Sequence, residues 1–199
     1  MQRFISKKLK VWAVQEIIVT KENYQINFYS FSNKLYRALW SLFYFLFFRY
    51  SPSPFFKYRT YILRLWQAEV SSDIRVYPSA KIWSPKNLTM KSGSSIGPRA
   101  LIYNQGHITI GEDSIVSQDV TICASSHDYK KYHHPLILKD VVIGSRVWLC
   151  AESFVGPGVV VGDGVVLGAR AVAKKNLEAW YVYDGNPSQK IKERGLKDE

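Results

Sequence analysis

Four histidines are spread along the 199 residues, and their neighbours decide what each can do. His127 stands in the stretch Ala124-Ser125-Ser126-His127-Asp128-Tyr129. An imidazole titrates near neutral pH, so it suits accepting a proton from a hydroxyl. Ser125 and Ser126 raise a second chemistry, a serine nucleophile activated by the ring. Adjacency along a chain does not bring a hydroxyl against an imidazole, so that reading is the weaker one. Asp128 can orient His127 or meet a substrate hydroxyl, and it can equally form a turn. His107 precedes His127 by 20 positions. The repeat described next has the same length, which predicts equivalent outward positions for the two rings on neighbouring turns. An ordinary surface role suits His107 better than a chemical one. His133 and His134 stand beside Pro135 and read as loop surface.

The elements that must hold these groups are written in a period of six. An aliphatic residue returns at Val70, Val76 and Ile82, then Met90, Ile96 and Ile102, then Ile110, Val116 and Ile122. After an interruption the pattern resumes at Ile143, Leu149, Val155, Val161 and Leu167 and ends at Ala173. Neither a helix nor a plain amphipathic strand has that period, whereas a stacked solenoid with three flat sides per turn does. Small residues follow four positions later, among them Ala80, Ser94, Ala100, Ser114, Ser126 and Ser153. Glycine often follows the aliphatic residue directly, as at Gly97, Gly111, Gly144 and Gly162, where a tight corner favours a residue without a side chain. The fold class expected is therefore mainly β, a solenoid over 70–175 with an extruded loop at about 124–140. A polar excursion from a regular scaffold points to function, and this one carries His127.

Residues 1–69 form the lead-in and cap. Leu35–Phe48 is a dense apolar run, and Phe55–Trp66 mixes aromatic with basic residues around the breaker Ser51-Pro52-Ser53-Pro54. Both stretches are expected to be helical. The first is shorter than the roughly 20 apolar residues that cross a bilayer. It is expected to close the open end of the solenoid, with a membrane-interface role as the alternative. Of the net charge of +11, residues 1–70 carry eleven Lys and Arg against three acids. An anionic partner follows, such as a membrane surface or a lipid-linked pyrophosphate, and no nucleic-acid motif is present. Cys123 and Cys150 read as small reduced fillers, and no signal-peptide core is evident, so a cytoplasmic location is expected. Residues 176–199 read as a C-terminal tail.

The six-residue repeats, Ser126-His127-Asp128-Tyr129, Ile143-Gly144-Ser145-Arg146-Val147-Trp148 and Asp184-Gly185-Asn186-Pro187 together resemble the hexapeptide-repeat acyltransferases. Within that family the chain is similar to bacterial sugar O-acetyltransferases of the colanic-acid biosynthesis type, also through Arg49-Tyr50-Ser51-Pro52-Ser53-Pro54 and Ile82-Trp83. The resemblance implies a left-handed parallel β-helix, a homotrimer, acetyl-CoA as co-substrate in the groove between subunits, and no metal. It implies His127 as the base that deprotonates an acceptor hydroxyl. Asn104, Gln105, Asp128 and Trp148 would then meet the sugar or glycan acceptor, and Trp148 would wall the site near His127. Ala151 and Ala169 match positions where backbone groups meet the pantetheine arm, and Lys174, Lys175, Lys190 and Lys192 could pair with CoA phosphates. Gln189 stands where some relatives have arginine. Two other classes remain. A β-helical hydratase of the carbonic anhydrase type would need three imidazoles on zinc, drawn from His107, His127 and His133 or His134, without that family's spacing. A non-catalytic binding solenoid would be expected to lack the histidine loop.

Overall fold

In the computed structural model, which describes residues 30–195, the repeats wind into a mainly β solenoid whose strands lie on three faces. The first face stacks Val70, Met90, Ile110, Ile143 and Val161 in parallel register. The second stacks Val76, Ile96, Val116, Leu149, Leu167 and Tyr183. The third stacks Ile82, Ile102, Ile122, Val155 and Ala173. All of these side chains are buried and form one continuous core, each aliphatic one worth roughly 1.5 to 3 kcal/mol. On the second face successive coils are offset by 20 residues as far as Val116, by 33 across the interruption, then by 18 to Leu167 and by 16 to Tyr183.

The glycines serve a purpose different from the expected turn conformation. Gly97, Gly111, Gly144 and Gly162 have no positive φ, while Arg99, Asp113, Asp119, Arg146, Glu152 and Arg170 do. What the glycines provide is room. A Cβ on Gly111 would lie 2.4 Å from the carbonyl carbon of Gly144 on the next coil. At the left-handed corners, side chains of neighbouring coils pair instead, as in Arg99–Asp119 at 2.6 Å and Arg170–Glu152 at 2.7 Å. Both pairs are exposed and contribute little to stability.

The first coil exposes a strand edge on each face, and the cap answers each in turn. α1 (Phe31–Phe43) runs into a π-helical turn at Tyr44–Phe48, and α2 (Phe56–Leu65) follows the Pro52/Pro54 breaker. The Arg64 Nε and a terminal nitrogen donate to the Val70 carbonyl at 2.9 and 2.8 Å. Arg59 Nε donates to the Val76 carbonyl at 2.6 Å, and Trp40 Nε1 to the Ile82 carbonyl at 2.8 Å. One side chain therefore satisfies one edge carbonyl per face, and the expected capping role holds for the inner side of these helices. Arg59 is wholly buried and also donates to Ser51 Oγ and to the carbonyls of Pro52 and Ser53, which fixes the breaker loop. Burial pulls its guanidinium below the usual value. The readings placed on residues 1–29 lie outside the described residues.

At the other end the expected tail is structured. Tyr181–Asp184 extends the second face in parallel, and Gln189–Glu193 folds back antiparallel onto it. Tyr183 fills the axial slot there, which is why the segment joins the core. Arg194 donates to the carbonyls of Arg146 and Gly164 and ties the end of the hairpin to two coils.

Replacing Arg59 by methionine should keep the apolar volume but strand the Val76, Pro52 and Ser53 carbonyls. The expected cost is about 3 kcal/mol of unfolding free energy, measured by chemical denaturation. An unchanged midpoint would refute the assigned role.

Candidate active site

The interruption is a β-hairpin arm inserted at one corner. Ser125–His127 pairs antiparallel with Leu136–Leu138, with His127 opposite Leu136. At its base the Lys139 N–H donates to the Ala124 carbonyl at 3.0 Å, so the coil closes as if the arm were absent. The arm leaves from the third face and the chain returns to the first, which sets it on the corner between those two. The coil below contributes Asn104, Gln105 and Gly106 to the same corner. A Cβ on Gly106 would lie 2.7 Å from the Ala124 carbonyl oxygen, so this glycine leaves space for the base of the arm.

His127 is exposed, and its Nδ1 lies 2.6 Å from the carbonyl oxygen of His134. A carbonyl only accepts, so Nδ1 must carry the hydrogen and the neutral ring keeps its lone pair on Nε2. That tautomer is the one a general base needs. His134 itself adopts a positive φ of 45°, and its N–H donates to the Lys131 carbonyl at 3.0 Å. The turn that aims the carbonyl is built by Asp128: its N–H donates to Pro135, its Oδ1 accepts from the Lys130 N–H at 3.1 Å, and its Oδ2 lies 3.8 Å from Lys131 Nζ. Asp128 thus forms the turn, and the ring is oriented by the backbone carbonyl of His134, a residue expected only as loop surface. The placement of His134 directly before Pro135, in an excursion too long for a simple corner, was the available signal.

Several expectations need correction. His107 and His127 are not stacked equivalents, because the arm displaces His127 from the coil. The residue next above His107 is Asp140, whose Oδ1 accepts from the His107 N–H at 2.7 Å. The His107 Nε2 lies 2.9 Å from Thr89 Oγ1, which donates to Glu69 Oε2 at 3.3 Å. With its hydrogen given to the carboxylate, Thr89 accepts from His107, a polarity opposite to that of an activated nucleophile. Ser126, expected as inward filler, is exposed on the arm, and Ser125 lies buried at its base beside Cys123. Among the described residues no three His, Cys, Asp or Glu side chains gather as a metal site. Asn104 is fully buried, with Oδ1 accepting from the Ser84 N–H at 3.1 Å and Nδ2 donating to the Ser84 carbonyl at 2.6 Å. Its amide joins two coils and is not available to an acceptor.

The remaining positions fall on separate corners. Gln105 is half-buried below the arm. Trp148 is 46% exposed on the second face, opposite the arm's corner, with Nε1 donating to Ser117 Oγ at 3.0 Å. It cannot wall the site around His127 within a single chain. Ala151 and Ala169 follow the second-face strands at the next corner, one coil apart, and the Arg170 N–H donates to the Ala151 carbonyl at 3.0 Å. Lys174 and Lys175 are exposed on the arm's corner at the end of the coils, and Lys192 is exposed on the last strand. Lys190 is already engaged: it pairs with Glu178 at 2.5 Å and lies 3.8 Å from the Tyr181 ring centre. The hydrogen bond to Glu178 holds its ammonium above the usual value. The Cys150 thiol is likewise pushed up by burial, and both cysteines are free.

Residues 140–175 match the family model described as bacterial transferase hexapeptide (six repeats). The chain is 39% identical over 147 residues to the "Putative colanic acid biosynthesis acetyltransferase WcaF" of Escherichia coli (strain K12), covering 74% of this chain and 81% of that protein. The chain belongs to the hexapeptide-repeat acetyltransferases. Its fold is shared with the hexapeptide-repeat acetyltransferase VCA0836 of Vibrio cholerae complexed with acetyl coenzyme A, at a TM-score of 0.74, 19% identity, and 85% and 91% coverage of the two chains. A galactoside acetyltransferase in complex with coenzyme A superposes with a TM-score of 0.75 at 19% identity, covering 85% and 86%.

Because the coil closes beneath the arm, replacing residues 125–138 by two glycines should leave the solenoid folded and its circular dichroism spectrum unchanged, while acyl transfer is lost. Unfolding of that variant would show that the arm is part of the scaffold.

Proposed function

We propose that this protein transfers the acetyl group of acetyl-CoA to a hydroxyl of a sugar or glycan in surface polysaccharide biosynthesis. The observation that carries the reading is the Nδ1–H of His127 held on the His134 carbonyl, which leaves Nε2 as the only basic site of the ring. Nε2 takes the proton of the acceptor hydroxyl as its oxygen attacks the thioester carbonyl. The proton then leaves with the CoA thiolate, and no acyl-enzyme is needed. The relationship to WcaF supports a polysaccharide acceptor. The cationic cap suits a lipid-linked acceptor at the cytoplasmic side of a membrane, and Gln105 at the foot of the arm suits hydrogen bonding to it.

The same reading makes the working unit a homotrimer. His127 stands on one corner of the prism, while Ala151 and Ala169, the positions suited to a pantetheine arm, stand on another. A single chain cannot bring these corners together, whereas a rotated neighbour can. Exposed apolar residues on the first and second faces, Val142 and Val160 with Ile115 and Trp148, are suited to that packing. In this arrangement Trp148 and the two alanines would come from the subunit beside His127, and Lys174, Lys175 and Lys192 would be free to meet CoA phosphates.

His127→Ala should lower CoA release with a sugar acceptor by about a hundredfold or more with folding intact, the scale of lost general-base catalysis. Wild-type rates in that variant would remove the base assignment. Sharing of the site is tested by co-expressing His127→Ala with Ala151→Arg, each inactive alone. Random mixed trimers should regain about a quarter of the wild-type rate, since one intact half comes from each neighbour. No recovery would mean that each site is built from one chain.

A further inference from the structure

α1 and the π-helical turn are apolar on two sides, and only one side is covered. Trp40 and Phe48 are buried against the solenoid, yet Leu35, Leu39, Leu42 and Leu46 form a second stripe at helical spacing, each about half exposed. Contiguous exposed apolar patches of this kind mark interaction sites. Phe45 and Phe47 widen the stripe, and aromatic residues of α2 continue it.

We infer that this outer face of the cap docks into the interface of an anionic lipid bilayer. Charge selects this occupant over the others. Residues 30–68 contain six Lys and Arg and no acidic residue; Arg59 is buried, Arg37 lies over Trp83 and Arg64 reaches the Val70 carbonyl, while Lys34, Arg49 and Lys57 are exposed. A second copy of the face would set like charge against like. Residues 1–29 carry five basic and two acidic residues, so they too are cationic and poorly suited to cover it. An apolar stripe bordered by cations fits acyl chains beneath anionic headgroups. Among the described residues no helix is long and apolar enough to cross a membrane, so the contact is with one leaflet.

Docking also fixes a height. The arm leaves from the third strand of its face, two strand spacings or about 10 Å above the first coil. The cap adds a helix layer of about 10 Å. With the solenoid standing on its cap, His127 works about 20 Å above the headgroups, so an acceptor anchored in that leaflet must extend its hydroxyl that far. This last step rests on the proposed acetyl transfer; the docking itself does not.

The test is flotation of the full-length protein with phosphatidylcholine vesicles, with and without phosphatidylglycerol, beside the triple variant Leu39→Ser, Leu42→Ser, Leu46→Ser. Binding that requires phosphatidylglycerol, weakens with salt and falls about tenfold in the variant is expected. Equal binding of the variant, or no binding by the wild type, overturns the inference. So does a wild-type assembly larger than the variant's, which would make a second copy the occupant. Acetylation of a soluble sugar, measured in parallel, should be unchanged in the variant. Its loss in both proteins would defeat the proposed reaction and leave the docking result standing.

Discussion

Every coil of this protein depends on the coil beside it for its backbone hydrogen bonds. A strand of two or three residues cannot stand alone, and it is held only because its N–H and C=O groups meet a neighbour on each side. That requirement makes both ends a problem. At the start, the side chains of Arg64, Arg59 and Trp40 donate to the three exposed carbonyls of Val70, Val76 and Ile82 in turn. At the finish, the hairpin of Tyr181–Glu193 continues the second face and Arg194 anchors it. The cap is therefore the first layer of the solenoid written in side chains.

The same requirement explains how the histidine-bearing arm can be added without cost to the core. The Ala124 carbonyl receives the Lys139 N–H, and the strand Val141–Ile143 stacks on Ile108–Ile110 in unbroken register. The excursion satisfies its own backbone as an antiparallel pair. Its tip then has freedom that a coil residue lacks, and His134 uses it to turn a carbonyl toward His127. A rigid coil sets where the arm begins, and the arm's turn sets which nitrogen is basic.

The axial core was legible because stacking imposes a strict period, and Val70 through Ala173 fell in their predicted slots. Both helices of the cap were legible from their apolar runs, although α1 begins at Phe31, before the run at Leu35. The errors came where a residue type had two physical explanations. The resemblance pointed to Asn104 as an acceptor contact, and its polarity agreed, yet it lies two residues after Ile102, as Ser84 follows Ile82. Residues two apart on a strand share a face, so the repeat already assigned it to the interior. Glycines after the aliphatic positions suggested turn dihedrals, whereas close approach of the next coil requires them, as at Gly111. His107 and His127 were matched by counting 20, which fails once 14 residues of the arm leave the coil between Ala124 and Lys139.

What a single sequence could not supply is the relation between corners. Periodicity tells which residues point inward, but it is silent about which outward corner faces which once the prism is assembled. His127, Gln105, Lys174 and Lys175 share one corner, while Ala151 and Ala169 share another and Trp148 stands on the face between the remaining pair of edges. On an isolated prism these groups are separated by its width, so no motion of side chains gathers them. In the homotrimer proposed above, rotation about a threefold axis would bring unlike corners of neighbouring prisms together. A solenoid with three faces is thus well suited to building sites between copies, because rigidity within each chain preserves the geometry that assembly creates.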